Sequence, residues 1–106
     1  MNTNLAVKLL ASIAQESRLA LFRLLVQSGQ QGMAAGEIAT ALNIPSSTLS
    51  FHLKALCQTE LILARQESRY VYYSANFAAM TDLITFLTEN CCGSGESCQP
   101  QCPPIL

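Results

Sequence analysis

The chain is short of most of what an enzyme active site needs. It holds one histidine, His52, and only 12% of its 106 residues are charged. It has no glycine-rich phosphate loop and no pairing of a nucleophile with a base along the sequence. That argues against an enzyme such as a metalloid-handling reductase or a methyltransferase fragment. It also has no apolar run long enough to cross a membrane. Residues 1–7 are polar and lack the basic-then-apolar layout of a secretory signal, so a soluble, cytoplasmic protein without a membrane partner is expected. The formal net charge is −1, which gives no global pull toward nucleic acid. Any such partner must meet a local basic face.

What is present is apolar and helical. Half of the residues are hydrophobic, enough for one small domain whose core is completed by a second copy. Leu5, Leu9, Leu10 and Ile13 make a first helical stripe. Glu16 opens a second helix, where the helix dipole favours an acid. Leu21, Phe22, Leu24 and Leu25 are its inward face, and Ser28-Gly29 ends it. A short third helix is expected over residues 34–42. Asn43-Ile44 turns the chain, and Pro45 suits a first helical position. The fourth helix is expected to run to about residue 60, with Leu49, Leu53, Leu56 and Cys57 inward.

Residues 61–65 and 69–73 are rich in β-branched and aromatic side chains, with Gln66-Glu67-Ser68 as the turn of a hairpin. Asn76 caps a last helix, on which Phe77, Met80, Leu83, Ile84 and Leu87 recur at helical spacing. The order is α-α-α-α-β-β-α, mainly α with a β-hairpin wing. This is the layout of a winged helix-turn-helix. Residues 1–90 form that domain, and residues 91–106 form a cysteine-rich tail.

In this layout the fourth helix reads double-stranded DNA. Ser46, Ser47, Thr48 and Ser50 donate or accept without bulk, and Phe51 shares the exposed surface. His52 and Lys54 add donors, and Lys54 neutralises a phosphate. Arg65 and Arg69 flank the hairpin tip, where a wing meets the backbone. Against this, a serine-rich start is often only a solvated helix end. A lone histidine is often a structural hydrogen-bonding residue, and two arginines on a hairpin are commonly just solvated.

Ser46-Ser-Thr-Leu-Ser-Phe-His-Leu-Lys-Ala-Leu56 resembles the recognition helix of the ArsR–SmtB family of metal-sensing repressors, with Ser50, His52, Leu53 and Leu56 at the matching positions. Glu16-Ser17-Arg18-Leu19 and Gly36-Glu37-Ile38-Ala39 look like that family's second and third helix starts. The resemblance covers about residues 3–90. It implies a homodimer through the first and last helices that holds operator DNA when ligand-free and releases it on ligand binding. Two departures matter. The third-helix region has no cysteine pair, and the last helix has Asp82 but no histidine.

Both departures move sensing to the tail, where Cys91, Cys92, Cys98 and Cys102 lie within twelve residues. Disulfides are rare in a reducing cytosol, so a metal or redox role is expected. Adjacent cysteines do not easily bridge each other, but both can ligate one ion while Gly93-Ser94-Gly95 folds Cys98 back. Three thiolates suit a soft centre such as As(III) or Sb(III), which binds as an inducer ligand and not as a catalytic cofactor. The spacing also resembles the C-terminal arsenite site of some family members. Cys102 is open: a fourth ligand for zinc or cadmium, a disulfide partner, or a spare thiol. A redox-sensing or zinc/cadmium-sensing repressor of the same fold is the alternative. Cys57 continues an apolar stripe and reads as a structural thiol.

Overall fold

The computed structural model describes residues 1–91. Its elements are α1 (Thr3–Ile13), α2 (Glu16–Ser28), β1 (Met33–Ala34), α3 (Ala35–Leu42), α4 (Ser46–Gln58), β2 (Ile62–Glu67), β3 (Tyr70–Ala75) and α5 (Phe77–Thr88). The winged helix-turn-helix expected from the sequence is therefore the fold. Among the described residues, no helix is long and apolar enough to cross a membrane.

Local side chains set the helix starts. Asn2 Oδ1 accepts from the Leu5 amide at 2.8 Å, and Gln15 Oε1 from the Arg18 amide at 2.9 Å. Asn76 works in two directions: its Oδ1 accepts from the Ala79 amide at 3.2 Å, and its Nδ2 donates to the Glu60 carbonyl at 2.8 Å. It thus caps α5 and ties that helix to the turn between α4 and β2. Asn43 takes the left-handed conformation (φ 54°, ψ 50°) that ends α3 and turns the chain toward α4.

Three boundaries differ from expectation. Pro45 is the residue before α4, not its first: it is extended (φ −64°, ψ 150°), and its carbonyl accepts from the Leu49 amide at 2.9 Å. Residues 33–34 form β1, so the third helix starts at Ala35 and not at residue 34 as expected. The hairpin turn is Ser68-Arg69, not Gln66–Ser68, with Ser68 at φ 57°. Both strands are therefore longer than expected, and Arg69 sits at the tip itself.

The antiparallel sheet has the order β1-β3-β2. Met33 pairs with Tyr73 and Ala34 with Tyr72, while Arg65 pairs with Tyr72 and Glu67 with Tyr70. β1 reaches β3 through Gly32, which has φ 73°; a Cβ there would collide with the Tyr73 carbonyl. This is a close approach that only glycine allows.

The core gathers residues from every helix. Leu9, Leu21, Leu25, Ile38, Leu49, Leu56, Leu61 and Ile62 are fully buried, with Leu53, Phe22 and Leu83 close behind. Each such side chain contributes roughly 1.5–3 kcal/mol. On α1 and α5 the expected stripes are only half used. Leu9 and Leu83 are buried, but Leu5, Leu10, Ile84 and Leu87 are exposed.

Candidate nucleic-acid interface

α4 is amphipathic in a simple way. Leu49, Leu53 and Leu56 point into the core, and at 100° per residue Ser47, Phe51, Lys54 and Gln58 fall on the opposite side. All four are exposed, as are Ser46, Thr48 and Ser50. No side chain caps the start of α4. Its first amides therefore point outward, toward any acceptor, with the positive end of the helix dipole behind them. Hydroxyls, free amides and one lysine make a surface suited to phosphates and base edges.

His52 is not part of that surface. It is buried, with 7% of its surface exposed, and its Nδ1 accepts from Arg18 Nε at 3.1 Å. Burial first, and the Arg18 charge second, lower its pKa from 6.5. Both favour the neutral ring, and the Arg18 contact needs Nδ1 as acceptor, which places the proton on Nε2. The structural reading of His52 replaces the expected one as a donor to DNA. The helical period decides this: position 52 lies beside Leu49, Leu53 and Leu56 on the inner face.

Arg18 does more than bond His52. Its guanidinium carbon lies 5.4 Å from the centre of the Phe51 ring, and that ring meets the His52 ring edge-on at 5.8 Å and 69°. Phe51 is nonetheless 65% exposed. α2 thus holds an α4 side chain that faces outward.

The wing arginines differ from each other. Arg65 is committed to the scaffold. Its Nη1 and Nη2 donate to the Gln30 and Gln31 carbonyls at 3.3 and 3.1 Å, and its Nε lies 3.2 Å from Glu67 Oε1. Its guanidinium also sits 5.5 Å from the Tyr72 ring centre. The wing is thereby strapped to the loop between α2 and β1, beside an open polar cleft of about 460 Å³ lined by Glu37, Arg65, Glu67 and Tyr72. Arg65 therefore does not flank the tip as expected. Arg69 does, exposed in the turn, with no hydrogen bond or ion pair among the described residues.

Cys57 is a half-buried free thiol whose pKa burial pushes up, consistent with a structural role. Of the tail cysteines, Cys91 is exposed just past α5, its amide donating to the Thr88 carbonyl at 3.0 Å. Cys92, Cys98 and Cys102 lie outside the described residues. Among the described residues, no group of three metal-ligating side chains converges.

Sequence reasoning missed the Arg18 cluster and the Arg65 strap. In the sequence Arg18 stands only as part of the start of the second helix. Its partner is 34 residues away, and no local pattern marks such a pair.

Comparisons with known proteins agree with this geometry. A family described as a helix-turn-helix domain matches residues 13–63. The regulator YceK of Bacillus subtilis, described as an uncharacterized HTH-type transcriptional regulator, is 38% identical over 63 residues. That match covers 59% of this chain and 62% of YceK, so the chain spans about three fifths of that relative's length. The structure of HlyU from Vibrio cholerae superposes with a TM-score of 0.65 at 32% identity, covering 82% of this chain and 97% of HlyU. The homodimeric winged helix-turn-helix domain Mb0332 from Mycobacterium bovis, a possible ArsR-family transcriptional regulator, gives 0.64 at 27% identity, covering 82% of this chain and 81% of that one.

Proposed function

We propose that this chain, which belongs to the ArsR–SmtB family of winged helix-turn-helix transcriptional regulators, is a cytoplasmic repressor that binds operator DNA as a homodimer and lets go when trivalent arsenic or antimony binds its C-terminal cysteines. Regulators of this kind act by binding and not by catalysis. The observation that carries the DNA half is the outward face of α4: exposed hydroxyls at Ser46, Ser47, Thr48 and Ser50, uncapped first-turn amides, and Lys54 beyond them. Arg69 at the wing tip supplies a second phosphate contact. The thin charge of this face suits modest non-specific attraction, with base contacts supplying more of the selectivity.

The dimer is supported by apolar surface that one copy leaves uncovered. Leu5, Val7 and Leu10 on α1 are 42%, 57% and 38% exposed, and Ile84 and Leu87 on α5 are 53% and 56% exposed. The two helices pack against each other in one protomer. A two-fold interface built from them joins their outer sides. Recognition helices in such a dimer must sit about 34 Å apart to reach successive major grooves.

The inducer half rests on donor chemistry. Once reduced, Cys91, Cys92 and Cys98 would offer three thiols, the number of sulfurs trivalent arsenic takes; arsenous acid exchanges its three hydroxyls for the three sulfurs, and each hydroxyl leaves with a thiol proton as water. His52 is engaged by Arg18, and α3 carries no cysteine, so the described domain offers no competing soft site. Cys91 lies three residues past the end of α5, so ordering the tail around an ion would act on a dimer helix. The ion must favour one dimer geometry over the other for DNA to be released.

Arsenite titrated into the protein–DNA complex tests this. Release is expected from the wild type and not when Cys91, Cys92 and Cys98 are replaced by serine. Release persisting in that variant rules the tail out. Release by peroxide but not arsenite favours the redox alternative, and loss of arsenite response on replacing Cys102 alone makes it a ligand.

A further inference from the structure

Phe51 is the one aromatic residue on the outward face of α4. Two thirds of its surface is open to solvent, on the side of the helix opposite the core. It stands between Ser47, one turn before it, and Lys54, about one turn after. A single exposed aromatic is ordinary on a protein surface. This one is not free to move like an ordinary one. The Arg18 guanidinium lies at 5.4 Å from its ring centre, and the buried His52 ring meets its edge at 5.8 Å. Arg18 is in turn fixed by its 3.1 Å bond to His52 Nδ1. Contacts on two sides of the ring favour this placement before any partner arrives, so a contact made by it costs less on binding.

The chemistry that an exposed, pre-positioned phenyl ring recognises in a major groove is narrow. Base edges there offer polar atoms to the hydroxyls and to Lys54. The one apolar group on any base edge is the 5-methyl of thymine. We infer that Phe51 is a specificity-determining residue that packs on a thymine methyl in each half-site, and that Arg18 is the positioning residue that holds it there. The inference rests on the DNA-binding reading above and adds to it the group that is read. Arg18 reaches Phe51 from α2, so a residue outside the recognition helix sets the preference of that helix.

The test uses the full chain and a duplex recovered by selecting randomised DNA against it. Each thymine is replaced in turn by deoxyuridine, which removes only the methyl. Wild type is expected to lose about fourfold in affinity at one position of each half-site, the worth of one buried methyl. Phe51→Ala is expected to bind the thymine duplex more weakly and no longer to tell the two bases apart. Arg18→Gln is expected to shrink the thymine/uracil ratio with Phe51 still in place, a change that lost stability alone does not produce. The inference is overturned if no thymine shows a difference in wild type, or if Phe51→Ala keeps the wild-type ratio. If selection recovers no duplex, the DNA-binding reading falls and this inference falls with it; a duplex bound without regard to the methyl leaves that reading standing.

Discussion

Arg18 on α2 donates from Nε to Nδ1 of His52 on α4 at 3.1 Å, and lies over the ring of Phe51, the neighbouring residue. One arginine thus fixes both a buried and an exposed ring of the same helix. The bond requires a neutral His52, which gives the helix-turn-helix a dependence on pH.

Burial and the Arg18 charge lower the His52 pKa below the 6.5 of an unfolded chain. The unfolded state therefore takes up its proton first as pH falls. The stability that depends on neutral His52 is complete above pH 6.5 and is lost progressively below it. Urea denaturation between about pH 7 and pH 5 should show stability falling, and His52→Asn should flatten that slope. An identical slope in the variant assigns the acid sensitivity to other groups.

Arg65 and Arg69 should behave differently toward salt. Removing a phosphate-neutralising residue lowers the slope of log affinity against log salt by about 1. Arg69→Ala and Lys54→Ala are each expected to do so. Arg65→Ala is expected to leave the slope nearly unchanged, because its guanidinium is held by Gln30, Gln31 and Glu67. Its side chain is 43% exposed, so the loss of fold stability should be only about 1 kcal/mol. Salt titrations of the three variants decide between these roles.

Gly32→Ala should be damaging despite its small size. Alanine at φ 73° is strained, and its Cβ meets the Tyr73 carbonyl, the strand partner of Met33. A loss of about 2 kcal/mol or more is expected in chemical denaturation. Gly36→Ala is the control: nothing lies near its Cβ, and it sits in α3, so a small gain is expected.

Ile84→Asp and Leu87→Asp should shift the protein toward monomer without unfolding it. Both side chains are more than half exposed, so a charge costs little in one copy and much in an apolar interface. Sedimentation velocity reads the outcome. Unchanged dimers would move the interface away from α5.

Much of the element order was visible in the chain because helical and strand periods are local properties. Leu49, Leu53 and Leu56 mark the inner side of α4, and Asn76 marks the start of α5, as found. β1 was not visible. Two residues carry no period, and Met33-Ala34 become a strand only because β3 offers free backbone groups beside them. The hairpin turn was displaced for a similar reason: pairing of Glu67 with Tyr70 leaves just Ser68 and Arg69 to turn. The candidate site was half legible. The hydroxyls and Lys54 are exposed as their positions on the helix imply, whereas His52 and Arg65 were assigned outward roles by residue type alone.

The sequence alone determined the winged layout, the split between inner and outer faces of α4, and the thiol chemistry available in the tail, since these follow from periodicity and from which atoms the side chains carry. Only the tertiary structure decided what the charged and aromatic residues do. Arg18 meets His52 and Phe51, and Arg65 meets Gln30 and Gln31, across separations of more than thirty residues. A hydrogen bond or a cation over a ring acts over a few ångströms. Which residues fall within that range is set by how the helices and the wing pack, and no local stretch of the chain records it.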